Sequence, residues 1–229
     1  MSRKQEPASP SMASVAIAAI LVFLLGGALG VLSLITRPVE VVSHVPEAED
    51  FEPGMVYLVR GTRAGRTAWR QKEEAWMAGE VDSLSLSESE LNQWSDNRLS
   101  RGPRPAGEES KLLGMELAVS PVNFRILNDA IQLSMVLEVD SPLGKKEIVY
   151  QVTGNFENTP EGVRFVARKG NLGRAPTAVL PAANSWLGGS LIQLLTASDD
   201  LQWVRESIAG LESAEIANDL LILRRRQAG

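Results

Sequence analysis

Adjacent carboxylates are the residues in this chain whose type and spacing could do chemistry: Glu73-Glu74, Glu108-Glu109 and Asp199-Asp200. Two carboxyl groups held at different pKa values can act as general acid and general base. Each pair, however, falls on an expected solvated face or at a helix start, and Asp199-Asp200 is explained by capping and the helix dipole. The one histidine, His44, lies in a proline-bearing stretch, and there is no cysteine. Disulfides, thiolate metal sites and cysteine nucleophiles are therefore excluded, and a histidine-based catalytic or zinc site is disfavoured. No GxSxG, GxxxxGKS, GxGxxG or HExxH pattern occurs. The expectation is a protein that is not an enzyme, with no catalytic residue, no metal ligand and no cofactor.

The element that positions everything else is Ala13 to Ile35, inside a stretch uncharged from Pro7 to Thr36. At about 1.5 Å per residue it reaches roughly 34 Å, enough to cross a hydrocarbon core of roughly 30 Å. A cleavable signal peptide has an apolar run of about 7–15 residues before a small-residue site. Ala28-Leu29-Gly30 could serve as that site, but the run continues through Ile35, so an uncleaved signal anchor is expected. Arg3, Lys4 and the free amino group before it, against Arg37 alone directly after it, give a small basic bias that is expected to place the N-terminus in the cytoplasm and the remainder outside. The expected division is a cytoplasmic stub (1–12), a transmembrane signal anchor in the cell membrane (13–36), a linker (37–54) and an extracytoplasmic domain (55–229). Gly26 and Gly30, with Ala18, form a candidate face for helix dimerisation, because small residues let helices approach closely.

Three of the 23 basic residues and one of the 28 acidic ones lie at or before Arg37, so the remainder is more acidic than the whole chain. That balance argues against a nucleic-acid partner. Met55 to Ala78 reads as a helix with a Leu58, Trp69 and Trp76 stripe, stopped by Gly79. Arg60, Arg63, Arg66 and Arg70 form its polar side. Glu80 to Leu86 suits a short strand. Ser87 and Glu90 then form a capping box, with Leu86 and Leu91 as hydrophobic staple, for a helix over Glu88 to Leu99. Asn92 and Asn184 read as polar-face residues.

From Leu112 the apolar period becomes two. Leu113 to Val119, Val122 to Ile126, Ile131 to Val139, Ile148 to Phe156 and Val163 to Ala167 alternate between turns, giving an antiparallel meander with one wet face. Thr177 to Leu195 supplies a covering helix, and Asp200 to Ala209 another that buries Leu201, Val204 and Ile208. Ile216 to Leu223 reads as a final strand before a solvated tail, Arg224-Arg225-Arg226. The expected fold class is α+β: an N-terminal transmembrane helix, then a curved antiparallel β-meander of about five to six strands on amphipathic helices.

Two stretches, SLSLSESELNQW (Ser83 to Trp94) and RKGNLGRAPTAVLPAANSWL (Arg168 to Leu187), flank the meander and follow the anchor. That order resembles single-pass envelope proteins of the YpmS type, which pair an anchor and a Leu-Ser/Thr-x-x-Glu-Leu-Asn helix with strands and a Gly-x-x-Pro turn into a helix. Glu90-Leu91-Asn92 and Gly173-Arg174-Ala175-Pro176 stand in those places. The likeness covers about half of the chain, omits the Arg-rich segment and everything after Ser198, and implies topology more than activity.

An apolar sheet face opposed by a helix containing Gly188-Gly189 can open a groove for an acyl chain. Its candidate lining is Leu133, Met135, Leu137, Tyr150, Trp186 and Leu187, and its ligand a lipid or other apolar molecule. The alternative is a structural or assembly partner in an envelope complex, forming a homodimer through Gly26 and Gly30.

Overall fold

The computed structural model describes residues 12–65, 68–99, 116–141, 144–160, 162–179 and 202–226. Helix α1 (Met12–Ile35) is uncharged throughout, and Ser14–Ile35 is long and apolar enough to cross a membrane by length and composition. Its side chains stand exposed from Ser14 to Gly30; half-burial begins at Val31, Leu34 and Ile35. These three positions share one face of the last turn, where the rest of the chain meets the helix.

The segment after α1 is more than a spacer. Strand β1 (Glu40–Val42) pairs in parallel with β2 (Tyr57–Val59). The helix expected over Met55 to Ala78 is accordingly corrected. Tyr57 to Val59 is strand, Arg60 to Gly65 runs without regular structure, and helix α2 is confined to Trp69–Met77. Val59 is β-branched and buried against its partner strand, and Gly65 at φ +101° cannot continue a helix. Within α2 the tryptophan stripe holds: Trp69 and Trp76 are buried, and Gly79 follows at φ +74°.

Strand β3 (Ser83–Ser87) runs directly into helix α3 (Glu88–Leu99). The capping box forms as expected. The Glu90 N–H donates to Ser87 Oγ at 3.3 Å, and the Ser87 N–H donates to Glu90 Oε2 at 3.0 Å. Leu91 is buried, and Leu86 packs on the same cluster.

Next come β4 (Glu116–Val119), β5 (Asn123–Leu127), β6 (Ala130–Ser141), β7 (Gly144–Thr159), β8 (Gly162–Leu172) and β9 (Ala175–Pro176). They form one six-stranded antiparallel sheet in the order β4-β6-β7-β8-β9, with β5 also paired to β6. Strands β4 and β5 thus share one edge of β6 and are interrupted at Pro121, which has no N–H to give a ladder. Ser120 bridges the gap: its Oγ accepts from the Val136 N–H and its own N–H donates to the Val136 carbonyl, both at 2.9 Å. The Asn128-Asp129 turn closes the β5–β6 hairpin, with Asn128 at φ +52°.

On one sheet face Leu133 stands beside Val152, Met135 beside Tyr150 and Leu137 beside Ile148, and Tyr150 is followed across β8 by Leu172. The other face differs from the expected wet one. Asn123, Gln132, Ser134 and Thr153 there are all buried. Asn123 Nδ2 donates to the Val59 carbonyl at 3.2 Å and its Oδ1 accepts from the Gly61 N–H at 2.8 Å, so β2 and its continuation lie against this side.

Of the helix expected over Thr177 to Leu195, Thr177–Val179 forms a 3-10 turn; the remainder, with Asn184, Trp186, Leu187 and Gly188-Gly189, lies outside the described residues. Helix α4 (Gln202–Ala209) stops at Gly210 as expected. It turns Trp203 and Ser207, not Ile208, toward Trp76, so Ile208 stays exposed. The last strand is two strands: β10 (Leu211–Ala217) and β11 (Leu220–Arg225) form a hairpin around Asn218 and Asp219, both at positive φ. With β3 they build a second sheet in the order β10-β11-β3. Arg224 and Arg225 belong to β11, so the expected tail is corrected there. Arg224 pairs with Glu215 at 3.0 Å, and Arg225 lies over the Trp76 ring at 4.5 Å.

Candidate functional site

The apolar face of the large sheet divides into two regions. In one, Leu91 of α3 and Leu221 of β11 bury Ile131, with Phe124, Ile126, Phe156 and Phe165 around them. The other contains Met135, Leu137, Tyr150, Val122 and Val152, all buried, with Leu133, Ile148 and Leu172 packed against them. Four of the six candidate lining residues, Leu133, Met135, Leu137 and Tyr150, are therefore brought together. Trp186 and Leu187 lie outside the described residues. Among the described residues only Leu99, at the end of α3, enters this second cluster from outside the sheet and its connections.

Tyr150 is the polar group inside that cluster. It is 1 % exposed, and burial alone pushes its phenol above the ordinary value. No hydrogen bond to its hydroxyl occurs among the described residues. A buried phenol ordinarily finds a partner, and among the described residues this one has none.

The same cluster ends where the sheet meets α1. After Leu172, Gly173 turns the chain at φ +57° and donates its N–H to the Val149 carbonyl at 2.7 Å. A Cβ on Gly173 would stand 2.0 Å from the Ile35 oxygen. The Arg174 N–H donates to the Leu34 carbonyl at 2.9 Å, and its Nε donates to the Pro38 carbonyl at 2.8 Å. The Gly-x-x-Pro turn singled out in the sequence is thus the joint between sheet and apolar helix.

The polar residues of α3 have a different task. Glu88 accepts the Thr62 N–H through Oε1 at 2.7 Å and the Ile126 N–H through Oε2 at 2.9 Å. Asn92, expected on a polar face, is fully buried. Its Nδ2 donates to the carbonyls of Glu88, Thr62 and Phe124, and its Oδ1 accepts the Phe124 N–H. Gln93 Nε2 donates to the Arg63 carbonyl at 2.9 Å, Ser89 Oγ to the Ala64 carbonyl at 2.7 Å, and Arg63 Nε pairs with Asp96 at 2.8 Å. Together they hold Gly61 to Gly65 between helix and sheet. A Cβ at Gly61 would meet the Phe124 oxygen at 2.1 Å. The signal available in the sequence was the i, i+4 spacing of Glu88 and Asn92 on one helix face.

Glu73, expected to be solvated, is 4 % exposed and accepts from Trp94 Nε1 at 3.0 Å and from the Arg98 guanidinium. Glu90 pairs with Lys72 at 2.8 Å. Burial pushes its carboxyl up, but the Lys72 ammonium and the bonds from Ser87 outweigh it and hold the group below the ordinary value. Glu108-Glu109 and Asp199-Asp200 lie outside the described residues. Among the described residues no group of three or more His, Asp or Glu could hold a metal ion.

On α1, Ala18, Gly26 and Gly30 are exposed, and a Cβ added at either glycine meets nothing within 4 Å. At 100° per residue, Ala18 stands about 80° round from Gly26, so the compact part of the small-residue face is Gly26 and Gly30.

Compared with family models, with curated proteins and with solved structures, the chain finds no match in any of the three.

Proposed function

We propose that this protein is a non-catalytic, membrane-anchored domain that binds a lipid or other apolar ligand against the sheet face around Tyr150. The ligand lies under a curve of the sheet, between it and a covering amphipathic helix, on the outer side of the cell membrane. Kinship with the YpmS-type envelope proteins belongs to the same reading. The observation that carries it is the buried Tyr150 side chain inside an apolar cluster, its hydroxyl without a hydrogen bond among the described residues and so placed to meet a ligand head or ester oxygen. The structural use of the buried carboxylates points away from acid-base chemistry. Glu73 is committed to Trp94 and Arg98, and Glu90 to a helix cap and Lys72.

The test is site-specific photocrosslinking of the full chain in native membranes. A benzophenone amino acid at position 150 is expected to yield acyl-chain adducts by mass spectrometry, and the same probe at exposed Arg164 none. Crosslinks from position 150 confined to the chain's own residues would refute a ligand at the sheet face.

The alternative, an assembly partner in an envelope complex that forms a homodimer through α1, draws on the open Gly26–Gly30 face. That face lies about 110° round the helix from the half-buried Val31, Leu34 and Ile35, so docking of the sheet leaves it accessible. Gly30→Leu abolishes such a dimer in a crosslinking assay; unchanged association would rule the mechanism out.

A further inference from the structure

We propose that Arg37 and Arg174 form a binding site for the phosphate of an anionic phospholipid in the leaflet where α1 ends. The proposal rests on α1 crossing a bilayer, and it is independent of any ligand at the sheet face.

Two backbone oxygens fix Arg174. Its N–H is held by the Leu34 carbonyl and its Nε by the Pro38 carbonyl, so the side chain reaches to the residue beyond Arg37. Both Nη groups are left over, and neither Arg174 nor Arg37 has a carboxylate partner among the described residues. The anchoring is tight because Gly173 lets backbone touch backbone at Ile35. Half-burial of Val31, Leu34 and Ile35 shows that the contact extends one helical turn, about 6 Å, back from Ile35. Where the apolar span closes at Ile35, Arg174 and the exposed Arg37 stand at headgroup depth. A guanidinium held in a fixed plane offers phosphate two parallel N–H donors, and a second arginine adds charge without needing fixed geometry. The chain beyond Arg37 is acidic overall, so this cationic pair is local and is not part of a generally basic surface. The ligand is a lipid and not free phosphate because the site lies at the end of the apolar helix, where headgroups are the concentrated phosphate source.

The test uses the full chain in nanodiscs of phosphatidylcholine containing a minority of phosphatidylglycerol, with retained lipids counted by native mass spectrometry. The wild type is expected to retain phosphatidylglycerol in preference to phosphatidylcholine. Arg37→Gln and Arg174→Gln are each expected to cut that preference about tenfold, one charge-assisted contact's worth. Arg60→Gln, which removes an exposed arginine that makes no hydrogen bond to α1 or to Arg174 among the described residues, is expected to leave it unchanged. Added inorganic phosphate should not displace the lipid; displacement by phosphate would show an ordinary anion site and overturn the proposal. Equal retention of both lipids by the wild type, or equal loss in Arg60→Gln, would overturn it too. Among the described residues Arg37 makes no hydrogen bond to the sheet, so its variant carries the result even if Arg174→Gln loosens the joint. A chain that fails to enter nanodiscs at all would instead refute the spanning helix, before any lipid is counted.

Discussion

Asn92 binds both backbone groups of Phe124: its Oδ1 accepts the N–H and its Nδ2 donates to the carbonyl, each at 2.8 Å. A helix side chain takes the place of the strand missing beside β5. Glu88, one turn earlier, does the same for the Ile126 N–H. The match is geometric, since four helical residues rise about 6 Å and two strand residues about 6.8 Å. A bare strand edge invites pairing with another chain, and here two side chains close it.

Asn92→Ala is expected to destabilise the protein by about 2–4 kcal/mol, because it strands buried backbone groups of Phe124 as well as removing the amide. Denaturant unfolding measures the loss. A loss below about 1 kcal/mol would mean that water or another group replaces the amide.

Gly61→Ala places a Cβ 2.1 Å from the Phe124 oxygen and 2.5 Å from Asn92 Nδ2. The segment Arg60 to Gly65 must then leave its slot. Trypsin is expected to cut the variant after Arg60 and Arg63 much faster than the wild type, since cleavage follows local opening.

Arg225→Ala removes a guanidinium that lies over Trp76 and donates through Nη2 to the Trp76 carbonyl at 2.6 Å. A loss of about 1–2 kcal/mol is expected. A shift in tryptophan emission should accompany it, reporting a wetter Trp76.

Because the folded Glu90 carboxyl lies below its ordinary value, it contributes stability above its unfolded pKa and loses it as pH falls through the folded value. Lys72→Met removes the ammonium that holds it there. The variant should be less stable than the wild type at neutral pH, and the difference should shrink on acidification from about pH 5 to pH 3. A difference constant across that range would mean that Lys72 acts through packing alone.

Local patterns in the sequence were readable where the partners are near in sequence. The Ser87–Glu90 box, the Gly79 and Gly210 stops and the alternation of Ile131 to Leu137 all reappear in the structure. The misread segment Met55 to Ala78 depends on distant partners. Leu58 and Val59 join β1, Gly61 abuts Phe124, and Trp76 meets Arg225 at the far end of the chain. Seven-residue spacing of Trp69 and Trp76 looks the same whether the helix has two turns or six. The terminal hairpin was hidden because Asn218-Asp219 needs two non-glycine residues at positive φ, a weaker turn signal than Asn-Gly. Of the candidate site, the sheet half could be read from alternation, whereas the burial of Tyr150 and the docking of Gly173 at Ile35 are tertiary facts.

The central claim is an apolar helix that stays in the membrane and holds the sheet domain outside the cell. The absence of cysteine makes this directly measurable with single cysteines in an otherwise unreactive chain. Glu212→Cys, on the exposed side of β10, is expected to react with a membrane-impermeant maleimide in intact cells. Ser9→Cys in the N-terminal stub should react only after permeabilisation, on a band of full-length mass. Labelling of Ser9→Cys but not Glu212→Cys in intact cells, or a Glu212→Cys band shortened by loss of α1, would contradict the account.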